Sequence, residues 1–312
     1  MLAVSCGAYR QYEKPSFEGT DDLYGIACND TTSVADLAWD EFFQDEKLQA
    51  LIREGLSNNR DLRSAALRIQ EAEASLKVAR LSFLPSLTLS PNFSLAQSGV
   101  RYGEGIVHGF GISPAASWEA DISGRLYNGK RKAQAAYEKS IVYRQSVETE
   151  LVSSIAMAYY MLVMLDTKLD ISERTAANWK ENVRIMKAMK EAGMTNEASV
   201  SSTEANSYSI DASLFDLKYQ ITQTENTMAL LLGVAPRSFE RGRRKEAHLG
   251  GGLECGVPAQ LLSRRPDVQY AELELKKAYY DRAIAKAAFY PSLTLTGEAG
   301  WEKALTSPAG WL

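Results

Sequence analysis

The heptapeptide Phe83–Leu89, FLPSLTL, returns as Phe289–Leu295, FYPSLTL, at an offset of 206 residues. The match extends backwards. Asp61, Ala65, Leu67, Ala72 and Ala79 fall on Asp267, Ala271, Leu273, Ala278 and Ala285. In each copy a helical pattern runs into a proline, and apolar and polar residues then alternate. A repeat of this kind limits the fold to an internal duplication of one helix-to-strand module. The second copy reaches Leu312 at the position equivalent to Ile106. The repeat therefore anticipates about 140 further residues beyond Leu312.

Within the first copy the period of the apolar residues changes several times. Trp39 to Ser57 carries them at spacings of three and four, which predicts one amphipathic helix, broken at Asn58-Asn59. Asp61 is the expected cap of a second helix of about 23 residues, stopped by Pro85. After Pro85 the period is 2. Leu87, Leu89, Phe93 and Leu95 share one face, and Ser86, Thr88, Ser90, Asn92 and Ser94 share the other. A glycine-rich turn leads to a return strand with Phe110, Ile112, Ala116, Trp118, Ala120 and Ile122 on one face. Its other face carries Gly109, Gly111, Ser113, Ser117, Glu119 and Asp121. Each strand has about 12 residues, slightly more than a transmembrane barrel strand needs. Alternation alone leaves two readings open, a membrane hairpin and a soluble hairpin with one face on a core.

From Leu126 to Ala192 no proline occurs. Leu151, Ile155, Ala158, Leu162, Leu165 and Leu169 alternate by four and three, which is coiled-coil spacing. A helix of about 68 residues spans about 100 Å. Gly193-Met194-Thr195-Asn196 turns the chain back. The same spacing resumes at Ile210, Leu214, Leu217 and Ile221, and Gly233 and Pro236 close the return helix. The return helix, about 55 Å, and the helix before Pro85, about 35 Å, together flank one long helix when stacked end to end.

Composition excludes several classes. A net charge of −4 gives no support to a nucleic-acid partner. No run approaches the roughly 18 apolar residues of a transmembrane helix, which says nothing against barrel strands. Cys6, Cys28 and Cys255 share no metal spacing, and His108 and His248 are the only histidines. Glu71 and Glu73 lie two apart on a helix and do not face each other. No catalytic, metal or cofactor-binding residue and no cofactor is expected, and an enzyme is not favoured. The run containing Arg241, Arg243, Arg244 and Lys245 reads as a solvated face.

Four stretches together resemble the outer-membrane efflux protein family, the TolC-like channels, in its lipoprotein branch. They are Leu261–Val268, LLSRRPDV; the two Pro-Ser-Leu-Thr-Leu strand entries; Trp118–Arg125, WEADISGR; and Leu231-Leu232-Gly233. The resemblance implies a mainly α fold with a β-hairpin. Long antiparallel coiled-coil helices are joined to transmembrane β-barrel strands and internally duplicated. It implies an N-terminal lipid anchor and strap over 1–38 and a first repeat over 39–236. A linker and the start of a second repeat occupy 237–312. Within the first repeat the barrel hairpin falls at 85–122 and the helical hairpin at 125–235.

The function it implies is the outer-membrane channel of a tripartite, RND-type efflux system in a Gram-negative bacterium. This is a passive duct for small molecules. The implied partners are two further copies in a homotrimer with a shared twelve-stranded barrel, outer-membrane lipid, a periplasmic adaptor (membrane fusion) protein and an inner-membrane pump. Met1–Gly7 resembles the end of a lipoprotein signal, which makes Cys6 the expected site of lipidation, including palmitate. Gly193, Met194, Thr195, Asn196 and Glu197 become the periplasmic tip where the adaptor docks. Glu119 and Asp121 are expected to face the barrel lumen and to give a weak cation preference. The alternative is a lipid-anchored periplasmic coiled-coil structural or adaptor protein without a pore. The duplicated strand entry and the small, polar strand face count against it.

Overall fold

A computed structural model describes residues 10–15, 38–98, 105–242 and 265–308. The chain divides into two compact units. One comprises Met1–Ser16, Arg68–Ile141 and Gln269–Leu312, and the other Phe17–Leu67 and Val142–Val268.

The second of these units is helical. It contains α1 (Trp39–Phe42), α2 (Glu46–Asn58), the start of α3 (Arg60–Leu81), most of α4 (Arg125–Glu191) and α5 (Glu197–Leu232). The single helix expected over Trp39–Ser57 is two. Asp45 divides them, because its carboxylate accepts from the amides of Lys47 and Leu48 and so caps α2. Asp45 also accepts the Tyr159 hydroxyl of α4 at 2.6 Å. That bond fixes the start of α2 on the long helix. Burial, with the carboxylate beside it, pushes the Tyr159 hydroxyl well above its ordinary pKa.

Leu48, Ile52, Ile155, Leu162, Met228 and Leu232 are fully buried together. Gly55 lets α2 approach closely, since a Cβ there would lie 2.5 Å from Ile155 Cδ1 and 3.2 Å from Leu232 Cδ2. By length and composition α4 could cross a membrane, with one window reaching a mean hydropathy of 1.2. Leu151, Ile155, Tyr159 and Leu162 of α4 are nonetheless core residues, so packing accounts for much of that apolarity.

The end-to-end junction of two short helices is seen directly. Asn59, rather than Asp61, caps α3: its Oδ1 accepts from the amides of Asp61 and Leu62 at 2.8 and 3.0 Å. Its Nδ2 donates to the carbonyl of Leu231, at the end of α5, at 2.9 Å. One amide side chain thus satisfies orphan groups on two helix ends. Gly233 closes α5 at φ +68, and a Cβ there would sit 2.7 Å from the Asn58 carbonyl oxygen.

After α5 the chain is pinned rather than solvated. Arg241 pairs with Asp166 and with Glu225, the latter at 2.7 Å, and its side chain is half-buried. The backbone amide of Gly242 donates to the Tyr159 hydroxyl at 2.9 Å. Residues 243–245, the rest of the basic run, lie outside the described residues.

The other unit holds the end of α3, β1 (Ser86–Ser98), β2 (Gly105–Ala120), the start of α4, α6 (Pro266–Ala287), β3 (Leu293–Glu298) and β4 (Trp301–Pro308). In it α6 lies against the first turns of α4 through Lys132–Asp281 at 2.5 Å and Lys276–Glu138 at 2.8 Å. Residues 10–15 run along α6: Tyr12 meets the Tyr279 ring edge-on at 5.7 Å, and Lys14 pairs with Glu272 at 2.6 Å. Pro266 opens α6, where its missing N–H costs nothing.

Gly233→Ala is expected to lower stability by about 1–3 kcal/mol, combining a left-handed backbone with a collision against Asn58. Gly129→Ala, inside α4 with open space for the methyl group, is expected to raise it by about 0.5–1 kcal/mol. Denaturant unfolding of both variants checks the contrast.

Candidate functional site

Two places carry the residues singled out from the sequence, the sheet with its joint to α4 and the turn between α4 and α5. In the sheet β2 is central. It pairs antiparallel with β1 on one side and with β3 and β4 on the other. The register of β3 continues into β4, so the two form one strand interrupted at Ala299 and Gly300.

Pro114 explains the interruption. Ala299 donates its amide to the Pro114 carbonyl at 3.1 Å, and proline has no N–H to return. Alternation then directs the ring nitrogen of Pro91, opposite Ile112, away from β2 towards the open edge of β1.

Register sorts the side chains cleanly. Leu87, Leu89 and Phe93 stand beside Ala116, Pro114 and Phe110, and Trp118 and Ile112 stand beside Leu295 and Trp301. This face is exposed, with Leu87 at 82%. The opposite face is small and polar. Gly109 lies under Ser94 and Gly111 under Asn92, whose Oδ1 would be 3.1 Å from a Cβ at Gly111. From Trp118 to Phe110 the apolar face spans nine residues of β2, about 26 Å, within the roughly 9–11 residues with which a tilted barrel strand crosses a bilayer. Leu95, beside His108, carries the face one step past Phe110, and Lys303 stands beside Phe110 on β4.

The joint between sheet and α4 shows what the two acidic residues do. The strand ends at Ala120, so Asp121 is not on a strand face. Its Oδ1 and Oδ2 accept the amides of Leu126 and Tyr127 at 3.0 and 2.7 Å, at the positive end of α4. Glu119 is on the small, polar face, and Arg125 holds it through two bonds at 3.1 and 2.5 Å. Both carboxylates therefore join strand to helix. The charged residues on the same face that the sequence did not single out are Glu298, opposite Ala115, and Glu302, opposite Gly111. Their signal was available in the phase of Leu293, Leu295 and Trp301, but the pairing was not.

The turn is built by Gly193 at φ +70, a conformation that L side chains rarely adopt, and by Asn196, whose Oδ1 accepts the Ser199 amide at 2.9 Å. Met194 is 72% exposed. Glu197 pairs with Lys190. Above the turn runs a ladder of ion pairs at seven-residue steps: Lys187–Glu204 at 2.7 Å, Lys180–Asp211 at 3.0 Å and Lys218–Glu173 at 3.7 Å. Exposed pairs of this kind contribute little stability. Their regular spacing sets the register of the two antiparallel helices instead. Cys6 lies outside the described residues. Among the described residues no group of three or more His, Cys, Asp and Glu could hold a metal.

The sequence profile of the outer membrane efflux protein family matches residues 51–234 and 257–309, and the chain belongs to that family. It is 29% identical over 277 residues to the probable efflux pump outer membrane protein TtgC of Pseudomonas putida, covering 86% of this chain and 57% of that protein. It is 30% identical to the probable outer membrane lipoprotein SilC of Salmonella typhimurium, over 95% of this chain and 65% of that one. The fold is that of the open-state MtrE outer membrane channel of Neisseria gonorrhoeae, with a TM-score of 0.78 at 23% identity over 97% of this chain and 72% of that chain. The family and the two sequence relatives locate the chain in the outer membrane. The chain spans 57% to 65% of the length of the two sequence relatives.

Asp121→Ala is expected to speed hydrogen exchange at the Leu126 and Tyr127 amides and to cost about 1 kcal/mol, as for other lost helix caps. Asp121→Asn should keep protection at only one of the two amides, because asparagine offers one acceptor oxygen where the carboxylate offers two.

Proposed function

We propose that this chain is the outer-membrane duct of a tripartite efflux system, a passive path for small molecules driven by an inner-membrane pump. The observation that carries the reading is the sheet. It pairs an exposed apolar face of membrane dimensions with a small, polar face, and both outer strands have open edges. Strands in lipid must close into a barrel, because unpaired backbone groups have no water there. A twelve-stranded barrel shared by three copies gives that closure, and the described residues supply three of the four strands of each copy: β1, β2 and the joined β3–β4. The small face then lines the lumen, where serine and glycine leave room for water and cargo.

In this reading α4 and α5 are the wall of the duct in the periplasm. Gly193, Met194, Thr195, Asn196 and Glu197 form the tip on which a periplasmic adaptor docks. Cys6 carries the lipid that anchors the N-terminus to the outer membrane. The coiled-coil protein without a pore is disfavoured, because it gives the exposed sheet face nothing to contact.

Cation preference moves from the expected pair to another. Glu119 is neutralised by Arg125 and Asp121 caps α4, whereas Glu298 and Glu302 stand on the lumen-facing side. In planar bilayers under a salt gradient, the double variant Glu298→Gln, Glu302→Gln should shift the reversal potential towards zero, and the paired variant Glu119→Gln, Arg125→Gln, which removes both charges of the ion pair, should leave it nearly unchanged. Absence of conductance in the wild type, or selectivity that follows the Glu119–Arg125 pair, contradicts the reading.

A further inference from the structure

The apolar face of the sheet is not evenly filled. Ala116 stands beside Gly297, and the Pro114 carbonyl takes the amide of Ala299, so four small residues adjoin. Leu87 and Leu89 of β1 flank them. By register, the pair Trp118–Leu295 stands at one end of this patch and the pair Ile112–Trp301 at the other. The result is an apolar groove of about 570 Å³ across β1, β2 and the joined β3–β4. Packing within the chain does not require the gap, because a Cβ on Gly297 would meet nothing within 4 Å. Gly297 lies four residues into β3, about 13 Å along the strand. That depth falls within one leaflet of a hydrocarbon core about 30 Å thick.

The N-terminal segment leads to the same place. Lys14 pairs with Glu272, and two residues earlier Tyr12 meets the Tyr279 ring. Followed from residue 14 towards residue 10, the segment therefore climbs α6 in the direction of β3. The helix ends at Ala287, about 12 Å beyond Tyr279. The chain then turns tightly: the amides of Phe289 and Tyr290 donate to the carbonyls of Lys286 and Ala287 at 3.3 and 3.1 Å. The turn after α3 is closed in the same way, by Phe83 and Leu84 on Arg80 and Leu81 at 3.4 and 2.9 Å. The six residues from Tyr12 to Cys6 span up to about 20 Å, enough to bring Cys6 to the foot of β3. We infer that the groove holds an acyl chain of the lipid carried by Cys6 of the same copy. The inference rests on two parts of the proposed function, the lipid on Cys6 and the membrane-spanning sheet.

Three physical points support this occupant. The groove is lined by apolar side chains and glycine, which suits a hydrocarbon chain and offers nothing to a headgroup. The segment is tied to α6 on both sides of Glu13, so an acyl chain on Cys6 is already confined near the groove and loses less freedom on entering it than a free lipid does. The groove is centred on β2, away from the open edges where the strands of another copy pair, which disfavours a neighbouring copy as its occupant. One acyl chain in a bilayer gives only marginal anchoring, and a groove on the barrel wall adds to it while fixing the anchor to one face of its own subunit.

Photo-crosslinking of the full chain, produced behind a lipoprotein signal and irradiated in outer membranes, tests the inference. Benzoyl-phenylalanine replaces Leu89, in the groove wall, or Phe93, further along the same face. Mass spectrometry of the digested protein reads both the lipid on Cys6 and the cross-linked partner. The expected result at 89 is a cross-link to the acylated Cys6 peptide in a band of monomer size, with free phospholipid alone at 93. Free phospholipid alone at 89 as well, with Cys6 acylated, overturns the inference and leaves the anchor and the membrane sheet standing. Cross-linked dimers at 89 overturn it in favour of a contact between copies. An unmodified Cys6 overturns the anchor itself, and absence of any lipid adduct at 89 and 93 overturns the membrane reading. Gly297→Phe, which fills the groove from an open position, should abolish the cross-link between 89 and Cys6 while leaving Cys6 acylated and the adduct at 93 intact. Persistence of that cross-link in the variant overturns the assignment to the groove.

Discussion

An apolar sheet face with nothing to cover it is the constraint on which the rest depends. Each fully exposed Leu or Phe forgoes about 1.5–3 kcal/mol of burial, and several stand side by side on β1 and β2. The open edges of the outer strands add unpaired backbone donors and acceptors. Lipid against the face and further strands against the edges satisfy both demands at once. The small, polar residues on the opposite side fit that solution, because closure into a barrel turns them inward towards water. The helical unit has a different solution. Its apolar residues meet each other, and its stability comes from the buried cluster around Ile155, Leu162 and Leu232.

The chain passes between helix and strand three times, and each kind of passage, like each junction of two helices, has its own device. From helix to strand, the device is a turn closed by the same pair of backbone bonds, followed by proline, in both copies. From strand to helix it is Asp121, which collects the first amides of α4, with Glu119 and Arg125 as a second tie. From α4 to α5 it is Gly193 with the Asn196 cap. At the far end of α5, Asn59 bonds to two helix ends at once. These are local interactions of a few residues, yet they decide where long elements begin and how the strands enter the sheet.

Much of this was legible in the sequence. The repeat located both joints, the change from period 3.5 to period 2 located the strands, and the proline-free heptads gave α4 within a residue at either end. What escaped was the use of polar side chains. Asp61 has the right character for a cap, but Asn59 holds the position because it also reaches Leu231 on another helix. Asp121 reads as a strand residue by parity, but the helix that follows draws it out of the sheet. Arg241 sits in a basic run that looks solvated, and it is held by Asp166 and Glu225, which are remote in sequence. Period follows from one segment alone, whereas a hydrogen-bond partner depends on which segments meet.

The central claim is that the apolar face of the sheet meets lipid and the small face meets water. Thiol labelling along β1 in intact outer membranes tests it most directly. Single cysteines replace Leu87, Thr88, Leu89, Ser90 and Phe93 in turn, and a membrane-impermeant maleimide is applied against the wild-type background from Cys6, Cys28 and Cys255. Labelling at Thr88→Cys and Ser90→Cys, with protection at Leu87→Cys, Leu89→Cys and Phe93→Cys, is the predicted result. Uniform labelling along the strand, or labelling on the leucine face, contradicts the account.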